Sequence, residues 1–213
     1  MKKIFAIGDI HGCASKLMDV LHKIPINADR DTLVFIGDYI DRGPHSREVI
    51  DIILGIKRRM KDVVCLIGNH EHMLINYHLH GTGEEMFFQN GGDVTAHAYG
   101  FKRAKQRVKM NIPEEHLAFY RSLVPYYETE HLIFVHAGLR PGIPLSGQHM
   151  DDVIWIRNDF IESTYDFGKK VVFGHTPVSK PLIEKNKIGI DTGAVYGGKL
   201  TCIELTEMKI EQA

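Results

Sequence analysis

The sequence predicts an α/β fold, and three observations support this prediction. Short apolar runs rich in Val, Ile and Phe recur along the chain, and each stops beside a glycine and a polar side chain. Amphipathic stretches of helical periodicity separate the first three runs. The polar residues that follow those runs, Asp9, Asp38 and Asn69, are 29 and 31 positions apart, close to the roughly 30 residues of a βαβ unit. The amino-terminal half is therefore expected to form a parallel, right-handed α/β arrangement.

The apolar runs are typical of buried strands. They are short and rich in β-branched and aromatic residues, a pattern that favours a strand covered on both faces over an amphipathic helix. The last run, 200–205, alternates apolar and polar residues instead and is expected at the edge of a sheet. The predicted strands cover residues 3–7, 32–36, 63–67, 132–135, 171–173, 188–190 and 200–205.

Four stretches are predicted to be helical. Basic residues stand near the end of the second stretch, where they interact favourably with the helix dipole. Pro113 opens the fourth stretch, as proline often does in the first turn of a helix. No linker-like or repeated segment interrupts the chain, so residues 1–213 are expected to form one domain with a helical excursion near 76–125. The predicted helices cover residues 15–23, 46–60, 70–80 and 113–123.

The composition is that of an ordinary globular protein. Of the 213 residues, 44% are hydrophobic and 25% are charged, which excludes a disordered, collagen-like or coiled-coil chain. The formal net charge of −1 gives no overall attraction to nucleic acid or to an anionic membrane, so neither is expected as a partner. Three scattered cysteines fit a reducing compartment, and we expect a cytoplasmic protein of unknown oligomeric state.

Side chains that can bind metal ions follow five of the predicted strands. Ligands of α/β sheets bind beyond the carboxyl ends of the strands, so these side chains are expected to lie together. Charged and imidazole groups at buried strand ends are costly unless they are paired, and a cluster of cations satisfies them jointly. Carboxylates, imidazoles and one carboxamide favour Mn²⁺, with Fe and Zn²⁺ as the other candidates. The strand-end residues are Asp9 and His11; Asp38, Asp41 and Arg42; Asn69 and His70; His136; and His175.

This donor set points to phosphoryl chemistry. Two divalent ions that share a carboxylate would lower the pKa of a bridging water and polarise a phosphoryl group. His70 stands next to the ligand candidate Asn69 and could protonate a leaving oxygen. Arg42 and Arg157 could each clamp phosphate oxygens through two hydrogen bonds.

Five ordered motifs identify a family that the chain resembles. They are Gly8-Asp9-Ile10-His11-Gly12, Gly37-Asp38-Tyr39-Ile40-Asp41-Arg42-Gly43, Gly68-Asn69-His70-Glu71, His136-Ala137-Gly138 and Gly174-His175-Thr176. Together they resemble the motif set of calcineurin-like metallophosphoesterases, and within these the small serine/threonine phosphoprotein phosphatases of bacteria and bacteriophages. The segments at 90–92, 155–157 and 190–194 are also similar to parts of those phosphatases. The resemblance implies a β-sandwich flanked by helices, with its site at the carboxyl ends of the strands.

The resemblance also implies a role for each matching residue. Asp9, His11 and Asp38 would hold one metal, with Asp38 bridging, and Asn69, His136 and His175 would complete the second site. His70 would be the general acid, oriented by Asp41, while Arg42 and Arg157 would bind the phosphate. The family mechanism implied is direct in-line attack by a metal-bridging hydroxide.

Several of these residues also have ordinary structural explanations. Asp9 or Asp38 could cap a helix or form a turn, and Arg157 could pair with a neighbouring aspartate. Asp191 is expected to anchor a turn rather than bind metal. His45 follows the second motif and is a weaker candidate for substrate contact. The basic run at 102–109 is expected to be a solvated surface, with docking of an acidic substrate as the alternative.

Three functions are compatible with the motifs. The main interpretation is a dimetal phosphomonoester hydrolase that acts on phosphoserine and phosphothreonine proteins, with phosphotyrosine as a further substrate. The alternative is a hydrolase of diadenosine tetraphosphate or related nucleoside polyphosphates. Ile67 favours this alternative because the phosphatases usually have arginine there, whereas Glu71 opposes it because these hydrolases usually have aspartate there. A silent metal-binding scaffold is the third, disfavoured because every motif residue is intact.

Overall fold

Ten strands form two mixed sheets in the computed structural model, which describes residues 2–101 and 110–213. The strands are β1 (Ile4–Ile7), β2 (Thr32–Phe35), β3 (Asp62–Cys65), β4 (Tyr126–Glu128), β5 (Leu132–Val135), β6 (Lys170–Phe173), β7 (Leu182–Ile183), β8 (Lys187–Gly189), β9 (Thr201–Glu204) and β10 (Lys209–Gln212). The first sheet has the order β10-β9-β1-β2-β3 and the second the order β4-β5-β6-β8-β7. Strands β1, β2 and β3 run parallel, which confirms the parallel arrangement predicted for the amino-terminal half.

The helices lie between and around these strands. Helices α1 (Ala14–Lys23) and α2 (Ser46–Lys57) connect the three parallel strands, as the spacing of the apolar residues predicts. The predicted helix 70–80 is an α-helix, α3 (Asn69–Ile75), followed by a π-helical turn at Asn76–His80. The helices are α1 (Ala14–Lys23), α2 (Ser46–Lys57), α3 (Asn69–Ile75), α4 (Glu84–Gln89), α5 (Gly92–Ala98), α6 (Glu114–Arg121), α7 (Met150–Trp155) and α8 (Asn158–Ile161).

The core is divided into three apolar layers. The central layer takes side chains from both sheets, including Ala6, Val34, Phe134, Val172 and Ile203, so the two sheets pack face to face. A second cluster covers the other face of the first sheet, where α1 and α2 bury their apolar sides. A third cluster joins the second sheet to α7 and α8. The expected two-sheet sandwich flanked by helices is thus confirmed.

One strand prediction is wrong in its placement. The run at 200–205 contains β9, but β9 lies inside the sheet, because β1 pairs with one side of it and β10 with the other. All four residues of β9 are buried. Strand β10 was not predicted, because its sequence, KIEQ, is short and polar and its side chains are largely exposed.

The region predicted as a helical excursion contains short helices. Within the predicted excursion, the described residues 76–101 and 110–125 form the π-helical turn and helices α4, α5 and α6. The basic run at 102–109 lies outside the described residues. Across the described ranges, no helix is both long enough and apolar enough to span a bilayer.

Candidate metal centre

The strand ends bring the predicted ligands to one place. Residues that follow β1, β2, β3, β5 and β6 converge where the two sheets meet, as expected for the carboxyl ends of these strands. All are buried although their side chains are charged or polar. They are Asp9, His11, Asp38, Asn69, His70, His136 and His175.

Two groups of donor atoms stand out within this cluster. His11, Asp38 and His70 each offer one ligand atom, and these three atoms lie within 4.8 Å of one another. Asp38, His136 and His175 form a second group of the same kind, so Asp38 belongs to both. Two donor groups that share one carboxylate fit a dinuclear metal centre.

Hydrogen bonds fix the tautomers of two of the imidazoles. Nδ1 of His11 donates to the carbonyl oxygen of Ile40 at 2.8 Å, and Nδ1 of His136 donates to the carbonyl oxygen of Ile36 at 3.0 Å. Their Nε2 atoms then face Asp38, at 3.3 Å for His11 and 3.4 Å for His136. Carbonyl partners of this kind are the usual orienting contacts of metal-binding histidines.

The environment of His136 calls for a positive charge. Its Nε2 lies 3.0 Å from the amide oxygen Oδ1 of Asn69 and 3.4 Å from a carboxylate oxygen of Asp38. Three atoms that normally accept hydrogen bonds therefore face one another. A proton or a metal ion between them removes the repulsion, as does an Asn69 amide turned to present its NH₂ group. Burial is the largest single influence on the pKa of His136 and lowers it, but the charge and hydrogen bond of Asp38 together with the charge of Glu71 raise it overall.

Unsatisfied buried atoms support a metal site independently. Oδ1 of Asp9 and the Nε2 atoms of His70 and His175 are buried without a hydrogen-bond partner. Such orphaned atoms are rare and often mark a missing ion or water. Burial also lowers the pKa of His175 to about 2, which keeps its imidazole neutral and able to bind a metal. The residues therefore fit divalent cations, and the oxygen and imidazole donors suit Mn²⁺, Fe or Zn²⁺.

The carboxylates of the centre are electrostatically coupled. Burial by itself raises the pKa of Asp38, but the imidazoles of His136, His70 and His11 hold it well below its usual range. Asp9 behaves in the opposite way, because burial and the nearby Asp191 and Asp38 carboxylates raise its pKa well above its usual range. Asp9 nevertheless lies against the cluster, since its Oδ2 accepts the backbone N–H of His175 at 3.0 Å.

The backbone of the centre is strained. Among the described residues, six that are not glycine have a positive φ, and five of them belong to the predicted site. Left-handed backbone is unfavourable for residues with a side chain and concentrates at functional sites. The five site residues and their φ angles are His11 (45°), Asp38 (51°), Asp41 (69°), Arg42 (67°) and His175 (63°).

Glu71 holds two of the strand ends in position. Its Oε2 accepts the backbone N–H groups of Asp38 and Gly68, at 2.9 and 3.1 Å. Its Oε1 accepts those of Tyr39 and Ile40, at 2.8 and 3.3 Å. Glu71 lies in the first turn of α3 and is fully buried, so it joins the loop after β2 to the start of that helix. Sequence reasoning used this residue only as a family marker and missed its structural role.

His70 is held by a buried carboxylate. Its Nδ1 lies 2.7 Å from Oδ2 of Asp41, and neither side chain is exposed. The backbone N–H of Asp41 is shared between the hydroxyl oxygens of Ser46 and Thr95, each at 3.0 Å. Ser46 and Thr95 were not predicted, because a lone buried hydroxyl carries no sequence signal and Thr95 is distant along the chain.

Arg42 contacts the cluster directly. Its Nη1 donates to Nε2 of His11 at 2.7 Å, which uses the lone pair that a metal at His11 would need. A metal ion at His11 and this hydrogen bond therefore exclude each other. The backbone N–H of Arg42 donates to the carbonyl oxygen of Gly91 at 3.1 Å. Gly91 has a φ of 88°, and a Cβ there would come within 3.0 Å of the Arg42 side chain, which explains the glycine at this position.

Arg157 lies on the other side of the cluster, beside His175. Its Nη1 donates to the carbonyl oxygen of His175 at 3.0 Å and to Oγ1 of Thr176 at 3.2 Å. Among the described residues, the alternative ion pair between Arg157 and Asp159 does not form, because Asp159 pairs with Arg140 instead. The ring of Trp155 meets the His175 ring edge-on at a centroid distance of 5.8 Å. The segment 155–157 thus supports the strained backbone of His175.

The two remaining candidates, Asp191 and His45, belong to neither donor group. Oδ1 of Asp191 accepts the backbone N–H of Gly193 at 2.9 Å, the geometry of the turn expected there. His45 is exposed and faces Glu48, with Nδ1 and Oε2 3.3 Å apart.

The chain is similar to known proteins over nearly its whole length. The family described as calcineurin-like phosphoesterase matches residues 2–205. The chain is 31% identical over 229 aligned positions to the asymmetrical bis(5'-nucleosyl)-tetraphosphatase PrpE of Bacillus cereus (strain Q1), covering 96% of this chain and 91% of that protein. The corresponding protein of Bacillus mycoides (strain KBAB4) is also 31% identical, with 95% and 90% covered.

Solved structures show the same fold. A crystal structure of a proposed diadenosine tetraphosphatase superimposes with a TM-score of 0.75 at 23% identity, covering all of this chain and 93% of the other. A cold-active protein tyrosine phosphatase superimposes with a TM-score of 0.69 at 18% identity, covering all of this chain and 78% of the other. At these identities the likeness concerns the architecture alone.

Proposed function

Because the chain belongs to the calcineurin-like phosphoesterase family, we propose that it is a metal-dependent hydrolase of nucleoside polyphosphates of the diadenosine tetraphosphate type. The observation that carries the hydrolase is the pair of buried donor groups that share Asp38. The substrate class is supported by the tetraphosphatases that are about 30% identical to the chain over nearly its whole length.

In this proposal two divalent cations occupy the cluster. Asp9 and His11 would hold the first ion, Asn69, His136 and His175 would hold the second, and Asp38 would be shared between them. The cations supply Lewis acidity, which lowers the pKa of water and withdraws charge from phosphoryl oxygens. Asp9 and His175 would contribute Oδ1 and Nε2, two buried atoms that have no hydrogen-bond partner.

His70 is the proton donor of the proposed reaction. Its Nε2 faces the cluster, 3.9 Å from Oδ2 of Asp38, while Nδ1 is held by Asp41. Burial raises the pKa of Asp41 to about 8 and lowers that of His70 to about 3, so at neutral pH the shared proton lies on the Asp41 carboxyl and the imidazole is neutral. In the proposed reaction Nε2–H of His70 gives its proton to the oxygen of the departing phosphate while Nδ1 takes the proton of Asp41, which keeps the ring oriented.

Two guanidinium groups bind the phosphate chain. Arg42 and Arg157 stand on opposite sides of the donor cluster, next to His11 and His175. Each can hold two phosphate oxygens in a planar fork. Ile67, where related phosphatases usually have a third arginine, is buried in an apolar cluster. A polyphosphate chain compensates for the smaller clamp because it offers several anionic groups to the two arginines.

A phosphoserine or phosphothreonine protein phosphatase is the second candidate. Glu71 favours it, because the related tetraphosphate hydrolases usually have aspartate at this position. The four backbone groups that Glu71 holds are the same whichever substrate binds, so this residue alone does not decide between the two substrates.

A substrate comparison on enzyme reconstituted with Mn²⁺ tests the proposal. We expect kcat/KM for diadenosine tetraphosphate to exceed that for a phosphoserine peptide by at least about a hundredfold, a difference that binding of a second nucleoside can supply. Asp38→Asn serves as the inactive control for both substrates. A preference for the peptide would replace the proposal by the second candidate, and inactivity towards both would leave a metal-binding scaffold.

A further inference from the structure

An exposed aromatic ring stands beside the phosphate-binding arginine. Tyr196 ends a short 3₁₀ turn, Ala194–Tyr196, and is 61% exposed, more than any other large hydrophobic residue described. The Cζ atom of Arg42 lies 5.6 Å from the centroid of its ring. Arg42 in turn donates to His11 of the donor cluster. One guanidinium group therefore separates the ring from the centre.

The loop that carries this ring is held firmly in place. Nζ of Lys16 donates to the carbonyl oxygens of Ala194 and Gly198 at the two ends of the turn. The backbone N–H groups of Tyr196 and Gly198 both donate to the carbonyl oxygen of Gly193, at 2.9 and 3.0 Å. The order of the loop is therefore independent of the Tyr196 side chain, which contributes little to the apolar core.

The turn is shaped by glycines on both sides of the ring. Gly193 and Gly197 have φ angles of 69° and 86°. A Cβ at Gly198 would lie 2.1 Å from the carbonyl oxygen of Thr192, so this backbone contact requires glycine. A rigid loop that presents a large aromatic ring to solvent needs a reason other than packing, because exposing such a ring forgoes the stability gained by burying it.

From these contacts we infer that Tyr196 is the stacking surface for a nucleobase of the substrate. This inference rests on the proposed nucleoside polyphosphate hydrolysis and names a residue for its specificity. When Arg42 binds a phosphate of the chain, a nucleoside attached to that chain lies next to the Tyr196 ring. A purine presents a flat π-face of similar width, and stacking of bases on aromatic side chains tolerates different bases. The pairing of a guanidinium for phosphate with an adjacent ring for the base matches the two chemical halves of a nucleotide.

Substitution of Tyr196 separates this role from a structural one. Alanine scanning of base-stacking residues gives losses that correspond to about five- to hundredfold in binding. We therefore expect Tyr196→Ala to raise KM for diadenosine tetraphosphate by a factor in this range, with kcat changed less than threefold. Hydrolysis of inorganic tripolyphosphate, which has no base, should be unaffected. Tyr196→Phe and Tyr196→Trp should retain the KM of the original enzyme, since both keep an aromatic face.

Equilibrium binding provides a second measurement that does not depend on turnover. Calorimetric titration with adenosine monophosphate in the presence of Mn²⁺ should show the same loss of affinity for Tyr196→Ala and no loss for Tyr196→Phe. Equal losses on tripolyphosphate and on the dinucleotide would overturn the inference and assign the ring to positioning Arg42. A loss confined to a phosphotyrosine peptide would also overturn it.

The proposed function and this inference fail in different ways. If the unsubstituted enzyme does not hydrolyse the dinucleotide, the proposed function is wrong. If it does, and Tyr196→Ala leaves KM and the affinity for adenosine monophosphate unchanged, the stacking role alone is wrong.

Discussion

Oδ2 of Asp41 lies 2.7 Å from Nδ1 of His70, and both side chains are wholly buried. The two residues follow neighbouring parallel strands, so the sheet itself brings carboxyl and imidazole together. The contact leaves Nε2 of His70 directed at the donor cluster. The contact thereby fixes the orientation of His70, the residue proposed as proton donor.

Replacement of His70 tests this separation of roles. We expect His70→Asn to lower kcat by about 10²–10⁴, the usual contribution of a general acid. The loss should be greater for an alkyl phosphomonoester than for diadenosine tetraphosphate, because a departing phosphate needs less help from an acid. Metal analysis after reconstitution should still find two ions per chain. A variant that loses one ion would instead make His70 a ligand, as its place in the His11–Asp38 group allows.

Arg42 is predicted to compete with a metal ion for His11. The hydrogen bond from Nη1 uses the Nε2 lone pair, and a net hydrogen bond is worth about 0.5–1.5 kcal/mol. We therefore expect Arg42→Ala to tighten Mn²⁺ binding about two- to tenfold while substrate KM rises about tenfold or more. Calorimetric titration of Mn²⁺ measures the first effect, and steady-state kinetics measure the second. Arg121→Ala, which removes an exposed arginine paired with Glu114, is the matched control; weaker Mn²⁺ binding by Arg42→Ala would contradict the prediction.

Glu71 is predicted to stabilise the fold as well as the site. In Glu71→Gln, an NH₂ group replaces one of the oxygens that accept backbone N–H groups, so two buried donors lose their acceptor. We expect the free energy of unfolding to fall by about 2–3 kcal/mol. Urea denaturation followed by circular dichroism measures this change. Glu114→Gln on the surface of α6 should change it by no more than about 0.5 kcal/mol, and an equal effect of both variants would show that Glu71 has no special role.

Asp31 is predicted to make stability depend on pH in the acid range. Burial by itself would raise the pKa of this carboxyl, but the Arg30 guanidinium and the backbone N–H groups of Asn27 and Lys3 lower it to about 2. Because the folded pKa lies below the ordinary value of 3.8, the stabilisation is complete above about pH 5 and is lost as the pH falls towards 2. Asp31→Asn should therefore destabilise the protein by about 1–2 kcal/mol at pH 7, and by roughly half as much at pH 3.

Urea midpoints of the two proteins at pH 7 and pH 3 check this dependence on Asp31. Asp29→Asn is the control, since Asp29 is exposed in the same loop. A difference between wild type and Asp31→Asn that stays constant with pH would mean that Asp31 acts through packing rather than charge.

The parts of the fold with a strong local pattern were predictable from the sequence. Strands β1, β2 and β3 and helices α1 and α2 follow from apolar runs and helical periodicity, because each contributes apolar residues to the core. Strands β4, β7 and β10 did not emerge, since they have two to four residues each and include polar or exposed positions. Strand β9 lies inside the sheet because β10 pairs with its outer side. Because β10 was not predicted, β9 was wrongly expected at the edge.

The same distinction applies to the site. Asp9, Asp38 and His175 were predictable because each follows a strand and a glycine, and the topology of the sheets brings strand ends together. The contact of Arg42 with His11 and the stacking of Arg42 beside Tyr196 were not predictable. Both depend on the angles at which separate loops leave their strands, and these angles are set by tertiary packing rather than by local sequence.

The left-handed backbone at Asp41 and Arg42 lowers the stability of the fold, whereas the side chains of these residues serve the proposed reaction. Glycine adopts such angles without steric penalty, so Asp41→Gly or Arg42→Gly relieves a local conformational burden while deleting a working side chain. At the half-buried Arg42, a laboratory search that rewards heat resistance alone should therefore collect glycine variants of low activity. At Asp41 the lost buried contact with His70 offsets the relief. At Arg42, heat resistance and the proposed chemistry therefore make opposite demands on the same residue.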